Sequence, residues 1–168
     1  VRIEKDKLES RPFDASNISN MLNVKKIEIK PAKTRYGVGD VFSHIGGKAT
    51  LISLDGSKRV VDTSRLYIYE EPDTFVLGKH TVTLYNANNI PATYEIEVLP
   101  KYMVNLTVEG PGVVGEYPTS VLEGDDLKIK LTPNGFFNKV SSVYVNGKRV
   151  ATTNKTLKLT DIKEDLNI

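Results

Sequence analysis

Tyr94-Glu95-Ile96-Glu97-Val98-Leu99-Pro100-Lys101-Tyr102-Met103-Val104-Asn105-Leu106-Thr107-Val108-Glu109-Gly110-Pro111-Gly112 decides how the chain is read. Tyr94, Ile96 and Val98 alternate with glutamates, which is the period of a strand with one face on a core and one in water. Pro100 has no N–H to give to a ladder, so the strand breaks there. Val104, Leu106 and Val108 then alternate with Asn105, Thr107 and Glu109, and Gly110-Pro111-Gly112 turns the chain. Two strands of the same kind flank one proline, and a boundary between two small β domains is expected at that point.

The same period extends in both directions. Toward the N-terminus, Ile27 and Ile29 alternate with Glu28 and Lys30, and Ala49 and Leu51 with Thr50 and Ile52. Asp55-Gly56 marks a hairpin whose glycine accepts positive φ. Val82 and Leu84 alternate with Thr81 and Thr83. Toward the C-terminus, Leu127, Ile129 and Leu131 alternate with Lys128, Lys130 and Thr132, and Leu157 and Leu159 follow the same pattern. Asn146-Gly147, between Val143-Tyr144-Val145 and Val150, is the clearest hairpin. Only residues 1–23 lack the strand period. They are expected to be a linker or the end of a preceding domain, with Asp14 or Ser16 capping a short helical turn through Ile18, Met21 and Leu22.

The expected fold class is therefore all-β, with small antiparallel β domains in tandem at 24–99 and 100–168. The composition agrees. The 168 residues are 39% hydrophobic, which suits small cores. A net charge of +2 without a basic stripe argues against nucleic acid. No apolar run approaches the roughly 18 residues of a membrane span, so no membrane insertion is expected within this stretch. The chain has no cysteine, which removes thiolate zinc sites and cysteine nucleophiles. It begins at Val1 and ends just as a strand is starting, and both ends are read as cut from a longer protein.

Five signals in the first domain occur in a familiar order: Tyr36-Gly37-Val38-Gly39-Asp40, Gly46-Gly47, Asp55-Gly56-Ser57, Gly78-Lys79-His80-Thr81-Val82 and the closing strand Ala92 to Val98. Residues 24–99 resemble a bacterial immunoglobulin-like domain of the group found in tandem on Gram-positive surface proteins. Residues 101–168 carry Glu123-Gly124-Asp125, Thr132-Pro133, Gly135-Phe136 and Val145-Asn146-Gly147, and resemble a divergent internalin-type B-repeat. The resemblance implies an Ig-like sandwich followed by a smaller repeat of β-grasp type. It further implies export to the bacterial cell surface or medium, neighbouring domains on the same chain, and no catalytic residues. The expected role is a non-catalytic stalk or adhesive module. The alternative is an accessory, glycan-binding region of a secreted glycoside hydrolase or protease, which a catalytic domain upstream of Val1 would decide.

Few residues suggest chemistry. His44 and His80 are the only histidines, and no phosphate loop, paired-His motif or nucleophile elbow accompanies them. Glu123-Gly124-Asp125-Asp126 offers Asp125 and Asp126 as calcium ligands, but its spacing fits no EF-hand, and a solvated turn is the preferred reading. No cofactor is expected. Lys26, Lys30, Lys128, Lys130 and Lys158 fall in the polar phase, against a core lysine for a self-made crosslink. The candidate binding residues are Arg65, Tyr67 and Tyr69, which share a phase and are able to stack on a sugar or anchor a host protein if they face outward. Tyr117 and Phe136-Phe137 pose the same question in the second domain.

Overall fold

The computed structural model describes residues 23–135 and 139–168. The cap expected at Asp14 or Ser16 and the aromatic pair Phe136-Phe137 lie outside the described residues. The protein is all-β, in small sheets. The one helical element among the described residues is a 3-10 turn at Thr63–Arg65.

The strands follow the alternation read from the sequence. β1 (Val24–Lys30), β3 (Lys48–Ser53) and β4 (Lys58–Asp62) form an antiparallel sheet in the order β1-β3-β4. β2 (Arg35–Gly37), β5 (Gly78–Tyr85) and β6 (Pro91–Leu99) form a second, in the order β2-β6-β5. Next come β7 (Lys101–Asn105), β8 (Gly112–Val114), β9 (Ser120–Leu122), β10 (Leu127–Pro133), β11 (Val143–Val145), β12 (Lys148–Val150), β13 (Thr156–Leu159) and β14 (Leu166–Asn167). They pair as β13-β10-β8, β14-β7-β9 and the hairpin β11-β12.

The chain divides into two compact units. Among the described residues, one holds 23–34, Phe42–Pro72 and His80–Ile96; the other holds Arg35–Val41, Asp73–Lys79, 97–135 and 139–168. In the first, Ile27, Ala49, Leu51, Leu66, Val82, Leu84, Ala92 and Ile96 are buried. In the second, Val104, Val121, Leu127, Ile129, Leu131, Val143, Leu157, Ile162 and Leu166 make one core. Removing such a side chain from water is worth about 1.5–3 kcal/mol each. Lys26, Lys30, Lys128, Lys130 and Lys158 are all exposed, as their phase requires.

Turn chemistry fixes the registers. At Asn146-Gly147 both residues have positive φ, 50° and 77°, which matches the right-handed twist of the flanking strands. Gly56, at φ 84°, lies in the β3–β4 connection, where the Asp55 carboxylate accepts from the Ser57 N–H at 2.9 Å and hydroxyl at 2.6 Å.

Three features depart from the sequence expectation. Two strand pairs are parallel: β2 with β6, and β7 with β14. The strand expected to run through Val108 stops at Asn105; the Thr107 N–H makes one further bond, to the Ile168 carbonyl at 2.7 Å. Arg65 to Tyr69 is not a strand. The Asp62 carboxylate accepts from the Ser64 N–H at 2.9 Å and starts the 3-10 turn, after which only one bridge, Tyr67 to Tyr85, is made.

Candidate functional site

Thr63 determines where the tyrosines stand. It is 1% exposed, so its hydroxyl must find partners inside the protein. The Thr63 Oγ1 accepts from the Gly47 N–H at 3.0 Å and donates to the His44 carbonyl. The Thr63 N–H donates to the Gly47 carbonyl at 3.1 Å. The segment around His44 to Gly47 is thus stitched to the 3-10 turn, and buried Leu66 anchors the residues that leave it.

Beyond Leu66 the chain runs beside the end of β5. Tyr67 and Tyr85 exchange both backbone hydrogen bonds, at 2.8 and 2.9 Å. Residues paired in this way put their side chains on the same face. On β5 that face is the outer one, since Val82 and Leu84 of the opposite phase are buried. Tyr69 joins it: its ring centroid lies 4.8 Å from that of Tyr85, tilted by 53°. The Tyr69 hydroxyl donates to the Asn89 Oδ1 at 2.6 Å. Asn89 is held in turn by a tight loop, where the Asn86 Oδ1 accepts from the N–H groups of Asn88 and Ile90 at 3.0 and 2.9 Å. Tyr67 is 58% exposed and Tyr69 71% exposed.

The structure therefore brings Tyr67 and Tyr69 together and adds Tyr85 and Asn89. Arg65 is exposed in the 3-10 turn and joins neither tyrosine by a hydrogen bond or ring contact among the described residues. Tyr85 closes the outer phase of a strand whose period was legible, and the Asn-rich turn after it was visible. Their meeting with Tyr67 and Tyr69 depends on pairing, which the period does not encode.

Asp125 and Asp126 are occupied otherwise. The Asp125 Oδ1 accepts from the Arg35 Nη1 at 2.6 Å, and the Asp126 Oδ1 accepts from the Asp161 N–H at 3.3 Å. Their turn is tied to the Asp161 turn by the Gly124 N–H to the Ile162 carbonyl and the Ile162 N–H to the Asp125 carbonyl. Beside it the Tyr102 hydroxyl donates to Glu123 at 2.9 Å, and this bond holds the Tyr102 pKa above the ordinary 10.0. Among the described residues no three His, Cys, Asp or Glu side chains converge as a metal site. No protein family, curated protein or solved structure matches this chain.

His44 contributes its backbone carbonyl to Thr63, and His80 is half-buried on β5. Tyr117 packs against the core of the second unit. A separate open hollow of about 550 Å³ in the second unit is lined by Leu106, Val108, Val113, Leu131, Val140 and Tyr144 among others.

Proposed function

We propose that the chain is a force-bearing, non-catalytic module of a bacterial cell-surface or secreted multidomain protein, acting as a stalk that spaces and presents its neighbours. The observation that carries this reading is the pair of parallel ladders. In each, an earlier strand lies parallel to a later one: β2 begins at Arg35 and β6 ends at Leu99; β7 begins at Lys101 and β14 ends at Asn167. When the ends of such a pair are pulled apart, the strands must slide along each other, and all their hydrogen bonds are loaded together. An antiparallel hairpin pulled at its open ends loses its bonds one at a time.

Further contacts resist that sliding. The Val38 N–H donates to the Leu99 carbonyl at 2.9 Å, extending the β2–β6 ladder. The Ile168 N–H donates to the Asn105 carbonyl at 2.8 Å, and the Asn105 and Asn167 side chains meet at 3.2 Å. Lys101 and Asp40 form a half-buried ion pair at 2.7 Å, beside the Gly37 N–H that also donates to Asp40. Such a pair resists solvent screening better than the exposed Lys26–Glu28 pair. The immunoglobulin-like reading of 24–99 draws support from the two three-stranded sheets and from β2 lying parallel to the last strand, β6. The bacterial and extracellular parts of the proposal rest on the family resemblance of 24–99 and 101–168.

Single-molecule pulling tests the reading, because forced unfolding reports the unfolding barrier directly. The 168-residue chain is pulled once through its two ends and once through Thr107→Cys and its C-terminus, which peels β14 from β7. The end-to-end pull is expected to need the higher force at equal loading rate. Equal or lower force in that direction would refute the force-bearing role.

A further inference from the structure

We propose that Tyr67, Tyr69, Tyr85 and Asn89 form a stacking site for the ring of a neutral sugar, a binding function beyond and independent of the force-bearing role. Three tyrosines share one outer face, and Tyr69, the most exposed, is held in place. Tyr67 is set on that face by its backbone pairing with Tyr85; the Tyr69 ring packs against Tyr85 and its hydroxyl donates to Asn89. An exposed ring held in place loses little conformational freedom on binding, and this raises affinity for a flat ligand.

The chemistry of the face selects the ligand. Tyr69 and Tyr85, with centroids 4.8 Å apart, leave no gap for a cation between them, so the cluster is a platform and not a cage. Its members are uncharged, and the exposed Glu70 and Glu71 follow Tyr69 directly in the chain. Their charge disfavours acidic glycans and phosphorylated ligands. Fringing the rings are the Tyr67 hydroxyl, the Asn89 amide N–H groups and the half-buried Thr83 on the same phase of β5. Hydroxyls and an amide beside aromatic faces match a pyranose, whose C–H face is apolar and whose rim is all hydroxyl. A proline-rich peptide also stacks on tyrosines, but it needs an apolar slot in place of this polar rim.

The test is affinity electrophoresis of the whole chain through native gels carrying dissolved hydroxyethyl-cellulose, xylan or mannan, with polygalacturonate as the acidic probe. Retardation by at least one neutral polysaccharide is expected. Tyr69→Ala should weaken it about tenfold, the loss of one stacking ring. Tyr69→Phe keeps the ring, gives up the bond to Asn89, and should fall between. Asn89→Gly tolerates the φ of 58° found at this position and should weaken binding without disturbing the fold, as near-ultraviolet circular dichroism will check. Tyr144→Ala, on the second unit, should change nothing. The proposal is overturned if no neutral polysaccharide retards the chain, if Tyr67→Ala and Tyr69→Ala leave retardation intact, or if only polygalacturonate or a polyproline peptide binds.

Discussion

Replacing Thr63 by valine removes two hydrogen bonds and almost no volume. Valine has the shape of threonine, and the site is 1% exposed, so the packing terms nearly cancel. What remains is the loss of partners. The Gly47 N–H, buried and bonded to the Thr63 Oγ1 at 3.0 Å, is left unsatisfied; a group in that position costs about 1–3 kcal/mol. The carbonyl of half-buried His44 loses its donor as well, but water can reach the residue, so its share falls at the low end of the same range. The sum is about 2–3 kcal/mol. Serine at the same position keeps both bonds and loses one methyl, about 0.8 kcal/mol. Urea unfolding of the three proteins at unchanged m-value gives the order, and hydrogen exchange at the Gly47 amide gives a local readout. Threonine should be most stable, serine next and valine least, with Gly47 exchange accelerated in the valine variant. A valine variant as stable as serine would refute the view that these bonds, and not the fit of the side chain, hold the loop to the turn.

Two other measurements probe the second unit and the surface charges. Leu157→Ala empties a position 0% exposed at the centre of the second core and should cost about 2–5 kcal/mol, seen in calorimetry as a lowered melting temperature. The hydrogen bond from Ser57 lowers the Asp55 pKa, that from the Ser64 N–H lowers Asp62, and that from Lys26 lowers Glu28, so their stabilisation is present above the ordinary 3.8 and 4.5 and is lost as pH falls through the lowered values. Hydrogen bonds to Glu123 and Asp161 raise Tyr102 and Lys163, whose contributions are present below the ordinary 10.0 and 10.5 and vanish as pH rises through the raised values. Melting temperature against pH should therefore form a plateau that falls at both ends; a rise on acidification below pH 4 would contradict the acid side.

The longer strands of both units were legible in their alternation, although the alternation of Val104 to Glu109 continues past the end of β7 at Asn105. Leu127-Lys128-Ile129-Lys130-Leu131 has three buried side chains separated by two exposed lysines, and Asn146-Gly147 turned where its residues tolerate positive φ. β8 and β9, three residues each, are too short to show a period. Partner choice was also hidden. Alternation tells a strand which face to bury but not which neighbour to take or in which direction, so both parallel pairs are visible only in three dimensions. The candidate site divided along the same line. Tyr67 and Tyr69 were found by phase, whereas Tyr85 and Asn89 enter through a bridge and a hydrogen bond spanning 20 residues. Asp125, in the turn read as solvated, pairs with Arg35, 90 residues earlier, and no local pattern announces such a pairing.

The two-residue strand β14 also governs when its own sheet in the second unit can form. Its partner β7 begins at Lys101, and Leu166 pairs with Val104, with β8 to β13 lying between them in the chain. Asn146 clasps the same strand, donating from its Nδ2 to the Asp165 carbonyl at 3.0 Å and accepting the Asn167 N–H at 2.8 Å. Contacts this far apart in sequence are slow to close, because loop entropy must be lost before they form. A ribosome delivers residues in order, so the sheet β14-β7-β9 cannot be completed until Asn167 has emerged. That sheet is therefore the last of the second unit to close, while β1, β3 and β4, all emerged by Asp62, can pair as soon as they appear.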